Sequence, residues 1–143
     1  MTSPTPSDTS TLDFRVILDT PLRLFAPWLA VVLLATWGGY PGIVCVTPLA
    51  WLMALAVGVR CASQSSSSKP GQRLLEAALA GALFGLLQGV LFFFIAPRLG
   101  PVNADEQASA TGISFGMLCV GVPVGAGLSA FTAWLAQRRR GAA

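Results

Sequence analysis

Residues 24–59 read LFAPWLAVVLLATWGGYPGIVCVTPLAWLMALAVGV, and no charged side chain interrupts them between Arg23 and Arg60. A helix needs only ~20 apolar residues to cross the ~30 Å hydrocarbon core of a bilayer, so this stretch is long enough for two crossings if it folds back on itself. Charge is absent again from Ala77 to Pro97 and from Gln107 to Gln137, each long enough for one crossing. The expected fold is therefore an all-α membrane protein, four transmembrane helices in a compact bundle. The bilayer is its first partner.

Composition agrees with that reading. The 143 residues are 54% hydrophobic and only 10% charged, and mean hydropathy is +0.68. Soluble domains carry about 25% charged residues. Four spans use more than half of the chain and leave no room for a separate soluble domain. The net charge of +3 is no nucleic-acid signal, because its placement along the chain matters more than its size. Cys45, Cys61 and Cys119 form no disulfide framework, and with no histidine in the chain a zinc site is not expected. A cleavable leader is disfavoured, because Trp37 and Tyr40 occupy positions where a cleavage site needs small residues.

The segments divide as follows. Residues 1–11, rich in Ser, Thr and Pro, read as a disordered tail. Over 12–20, Phe14, Ile17 and Leu18 share a helical face, and Arg15 and Asp19 pair at i, i+4. This segment is either a short interfacial helix or a lead-in to the first span. The transmembrane domain is 21–137, with spans at about 21–39, 43–59, 72–96 and 111–136. Thr20 is the expected N-cap and Pro21 the first helical residue of span one. Gly38 to Gly42 is the expected turn into span two. Trp28, Trp37, Tyr40 and Trp51 are candidates for an aromatic belt, with Trp51 the poorest fit because it falls near mid-membrane. The spacing of Asn103 and Glu106 suits a capping box, so the last helix can begin at Ala104. Residues 138–143 form a basic C-terminal tail.

Orientation follows from the basic residues. Four crossings put Arg15, Arg23, Arg60, Lys69, Arg73, Arg138, Arg139 and Arg140 on one side and Arg98 alone on the other. The positive-inside rule places both termini and the Ser-rich loop in the cytoplasm. A plasma (inner) membrane is the default location.

Few residues inside the spans can do chemistry. Glu76, one turn after Arg73, reads first as half of an ion pair at the membrane surface, supported by the positive end of the third helix. Its alternative is an ion-handling carboxylate. Gln88, the large polar side chain nearest the middle of a span, reads as hydrogen-bonded glue between helices or as part of a hydrated path. The spans offer no nucleophile-and-base set, so no catalysis and no cofactor are expected. Asp105 and Glu106 supply too few carboxylates for a dedicated cation site. Cys61, just past a span, is a possible acylation site in a eukaryotic cell.

The clearest pattern is small residues at every fourth position. Ala77, Gly81, Gly85 and Gly89 form one ridge, and Gly121, Gly125, Ser129 and Ala133 a second. Small-xxx-small faces let helix backbones approach closely in lipid, where dispersion must supply the attraction. Gly112 and Gly116 lie on another side of the last span, continued by Pro123 and Gly127, so that helix is expected to have two close neighbours. Ala80, about 140° around the helix from Gly85 at ~100° per residue, is expected on the lipid side and tolerant of leucine. Two functional readings follow. One is a non-catalytic structural or accessory subunit associating, through these faces, with itself or a larger membrane complex. The other is a small oligomeric transporter or channel with a hydrated path near Gln88 and Glu76.

Overall fold

In a computed structural model, which describes residues 12–66, 69–95 and 104–141, the chain forms four helices. They are α1 (Phe14–Thr36), α2 (Gly39–Gln64), α3 (Pro70–Ile95) and α4 (Ala104–Gly141). The expected tail 1–11, Asn103 and Arg98 lie outside the described residues. Among the described residues, α1, α3 and the Leu118–Arg139 part of α4 are each long and apolar enough to cross a membrane.

The first boundary differs from expectation. Asp13, not Thr20, caps α1: its Oδ1 accepts the Val16 N–H at 3.3 Å. Residues 14–36 are one continuous helix that runs through Pro21 and Pro27, with no separate 12–20 helix. Thr20 is instead buried in mid-helix, where its hydroxyl donates to Gln64 Oε1 at 3.0 Å and ties α1 to the end of α2. Asp19 pairs with Arg23 at 2.8 Å rather than with Arg15. Both pairings satisfy the i, i+4 rule, so spacing alone could not choose between them. Of the face drawn from Phe14, Ile17 and Leu18, only Ile17 is buried.

The turn between α1 and α2 is shorter than Gly38 to Gly42. It consists of Trp37 and Gly38, and Gly39 already belongs to α2. Pro41 does not prevent this, because the first N–H groups of a helix need no partner within it. At the other end α2 runs past Arg60 to Gln64, closed by a Ser65 N–H bond to the Cys61 carbonyl at 2.9 Å. Pro70 opens α3 at its first position, as proline prefers. Helix α4 begins at Ala104 and continues to Gly141, so Arg138 and Arg139 extend a helix rather than a tail. Arg138 lies over the Trp134 ring at 4.6 Å, a cation–π arrangement. At ~1.5 Å per residue α4 is far longer than a bilayer core is thick.

Successive helices run in opposite directions. The Asp13 N–H reaches Glu76 near the start of α3, Thr20 reaches Gln64 at the end of α2, and Gln137 Nε2 donates to the Pro70 carbonyl at 3.3 Å. The start of α1, the end of α2, the start of α3 and the end of α4 thus share one end of the bundle. Helices α2 and α3 occupy the middle, with α1 and α4 flanking them, and α3 and α4 share the largest interface.

Burial is distributed as lipid requires. The interior is built largely from small residues, including Ala50, Ala54, Ala77, Ala80 and Ala133, with Trp28, Val32, Val57, Phe84 and Phe92 filling the wider gaps. Large apolar side chains such as Leu34, Leu52, Phe94 and Phe131 face outward. An aqueous protein would not expose so much contiguous apolar surface. Trp28 departs from the aromatic-belt expectation. It is 2% exposed and packs in the core, with its indole Nε1 bonded to no described group. It sits one turn before Val32 on the inward line of α1, so packing rather than the interface sets its place. Trp37, by contrast, is 91% exposed.

Candidate functional site at the α2–α3–α4 seam

The expected small-residue ridges on α3 and α4 lie against each other. A Cβ on Gly85 would overlap the Gly121 carbonyl oxygen and come within 2.6 Å of its carbon. A Cβ on Gly81 would overlap the Gly125 carbonyl and the Ser129 hydroxyl, and one on Gly125 would overlap the Gly81 carbonyl. The backbones are in contact here because glycine leaves nothing between them. Ala77 and Ala133 are buried at one end of the seam. At the other end Gly89 faces Leu118, whose Cα would be 2.8 Å from an added Cβ.

A third ridge was missed by the sequence reading. Ala50, Ala54, Gly58 and Ala62 repeat the same four-residue spacing on α2, and all four are buried. A Cβ on Gly58 would overlap the Thr132 hydroxyl and the Ser129 carbonyl. The signal is present in the sequence, because small residues stand at the same i, i+4 spacing on α2 as on α3. Ser129, packed into this junction, donates to the Ala54 carbonyl at 2.7 Å. Thr132 directs its hydroxyl toward the Leu55 carbonyl at 3.1 Å and toward its own helix at Leu128 and Ser129. The hydroxyls thus link helices as well as bonding to their own backbone.

The second side of α4 is different. A Cβ on Gly112, Gly116 or Gly127 would meet nothing within 4 Å, and Pro123 is exposed. The second close neighbour expected there is not supplied by the described residues of this chain. Ala80, expected to face lipid, is wholly buried. Helix α3 lies against all three other helices, so its buried surface extends beyond the glycine ridge to Ala80.

Gln88 is 8% exposed and lines a cavity of about 260 Å³ between α2, α3 and α4. The described walls are apolar: Ala50, Trp51 and Ala54 from α2, Phe84 and Gly85 from α3, and Val120, Val124 and Leu128 from α4. Helices α2 and α4 are clamped together at Gly58, Ser129 and Thr132, while Gly116 and Gly121 border the cavity beyond that clamp. No described residue forms a hydrogen bond with the Gln88 amide.

Glu76 is not a surface carboxylate. It is wholly buried, and its Oε1 accepts the Asp13 N–H at 3.0 Å while its Oε2 accepts the Ser65 hydroxyl. The Ser66 hydroxyl donates in turn to Asp13 Oδ2 at 3.2 Å. Glu76 therefore pins the start of α1 and the end of α2 to α3. Glu76 and Gln88 are twelve residues apart on α3, or ~18 Å along the axis, with the wholly buried Ala80 and Phe84 between them. The structure does not bring them together into one polar path. Cys61, wholly buried beside this knot, is closed to acylation in this fold. Burial, then the nearby Glu76 and Asp13 carboxylates, push its thiol up to about 12. The side chains of Asp105 and Glu106 lie outside the described residues. Among those described, no group of three His, Cys, Asp or Glu is placed to hold a metal ion.

The geometry defines the class, a helical protein with apolar helices of membrane-spanning length. No family model matches the chain, and no curated protein or solved structure matches it either.

Proposed function

We propose that the chain is a non-catalytic four-span membrane protein acting as an accessory subunit, docked on a larger membrane complex or on a second copy of itself. The supporting observation is the contrast between the two sides of α4. Gly121 and Gly125 are closed against α3, whereas the exposed Gly112 and Gly127 have open space where a Cβ would stand. A helix face of small residues with room above it suits close approach by another helix in lipid. The α3 and α4 ridges themselves are used within the chain, so association uses the second side of α4. Helix α2 is the fourth span in this reading, since it carries no charge before Arg60. The excess of Lys and Arg at the end holding Asp13 and Gln137 puts that end in the cytoplasm.

Gentle-detergent purification with mass spectrometry tests the proposal. Gly112→Leu and Gly127→Leu should insert and fold as the parent does, yet lose stoichiometric partners or self-association. Retention of every partner by both variants would reject the docking face. The transporter reading draws its support from the cavity at Gln88. It requires solute flux in proteoliposomes that Gln88→Leu abolishes.

A further inference from the structure

We propose that the cavity over Gln88 is a binding site for an uncharged, membrane-dissolved molecule bearing one carbonyl or hydroxyl oxygen on an apolar body. Gln88 is more than nine-tenths buried, lines the cavity, and has no hydrogen-bond partner among the described residues. Gln88 lies near the middle of the charge-free stretch from Ala77 to Pro97, where water is not at hand to satisfy a side-chain amide. An amide both donates and accepts, so a ketone or ester oxygen takes its N–H, and a hydroxyl can pair with either end. A plain hydrocarbon chain fills the space but leaves the amide unpaired.

The walls set the rest of the ligand's chemistry. Trp51, Ala54, Phe84, Val120 and Val124 offer apolar contact and no charge, so an ionic ligand would be left without a counter-ion in a low-dielectric site. A volume of about 260 Å³ is slightly below the ~300–1,000 Å³ of pockets for drug-sized molecules. It suits a ring system or the functionalised end of a chain. Entry is from the bilayer. Trp51 from α2 and Val120 from α4 both line the cavity and are 55% and 54% exposed, so the rim meets the lipid-facing surface. This also accounts for Trp51, a tryptophan at mid-membrane where an interfacial belt does not reach.

Benzophenone tests the site, because its ketone is both the hydrogen-bond acceptor and the photoreactive centre. The full-length protein in lipid nanodiscs is irradiated with benzophenone, and adducts are mapped by mass spectrometry. Expected is saturable labelling of the residues around Gln88, displaced by 2-nonanone but not by nonane. Gln88→Leu should weaken labelling roughly tenfold, in line with loss of one hydrogen bond in an apolar site. Val124→Phe should abolish it by filling the space while leaving Gln88 in place. Equal displacement by nonane and 2-nonanone in the unaltered protein would overturn the proposal whatever the variants do. So would labelling spread evenly over outward residues such as Leu34 and Phe94, or recovery of a second polypeptide cross-linked at the cavity.

Discussion

Alanine scanning of three glycines measures the α3–α4 seam directly. In Gly85→Ala the new Cβ overlaps the Gly121 carbonyl oxygen and stands 2.6 Å from its carbon. The obstacle is backbone, so no side chain can rotate away. Helix α4 must back off by roughly 1 Å, a gap that forfeits about a quarter to a half of each dispersion contact along the seam. Overpacking of this kind costs ~1–3 kcal/mol or more. In Gly121→Ala the nearest atom is the Gly85 oxygen at 3.0 Å, and a shift of a few tenths of an ångström relieves it. In Gly127→Ala nothing lies within 4 Å. Alanine also gains ~0.8–1 kcal/mol of helix propensity over glycine at each site, a term that cancels when the variants are compared. Gly127→Ala should therefore be neutral or slightly stabilised, Gly121→Ala near neutral, and Gly85→Ala less stable than Gly127→Ala by ~2–3 kcal/mol, or ~30–150-fold in the unfolding equilibrium. Cys61, wholly buried, supplies the readout. In a Cys45→Ser, Cys119→Ser background it is the only thiol, and its labelling in an SDS titration reports opening of the fold. Coincident titration midpoints for Gly85→Ala and Gly127→Ala would refute backbone contact at this seam.

Three further outcomes follow from the polar links. Ser129→Ala removes the α4-to-α2 bond to the Ala54 carbonyl and should cost about 0.6–1.7 kcal/mol in the same titration, the range for hydrogen bonds between membrane helices. Glu76→Ala strips the acceptor from the Asp13 N–H and the Ser65 hydroxyl and should cost ~2–4 kcal/mol. Glu76→Gln should cost less, because one oxygen remains and the serine hydroxyl can turn to accept; limited proteolysis near Asp13 checks whether α1 has come loose in either variant. In the fold Cys45 and Cys119 are exposed and Cys61 is buried. With its thiol pushed up to about 12, Cys61 stays protonated at pH 7–9 and should resist N-ethylmaleimide until SDS unfolds the chain; labelling at the rate of Cys45 would refute its burial.

The bilayer-length apolar helices were legible without a structure because transfer energy is summed over a local run of residues. Apolar runs such as Ala77 to Pro97 report it directly. Pairing was harder to read. Asp19 can meet either Arg15 or Arg23 at helical spacing, and only the fold shows the second. Glu76, three residues after Arg73, suggests a surface pair from local spacing in the same way. Its bonds to Asp13 and Ser65 span 63 and 11 residues, and no helical periodicity encodes contacts of that separation.

By itself, the sequence determined an all-helical chain with lengths of helix fitted to a bilayer and small residues aligned at every fourth position, because these follow from residue hydrophobicity and the 3.6-residue turn. Tertiary structure decided which small faces are used. It closed Gly81 and Gly85 on Gly125 and Gly121, recruited the unnoticed ridge on α2, buried Ala80, and left Gly112, Gly116 and Gly127 open. A small-residue ridge makes close contact possible wherever a matching surface arrives. The arrival of that surface depends on how all four helices pack at once, and the same packing leaves the Gln88 amide facing a cavity.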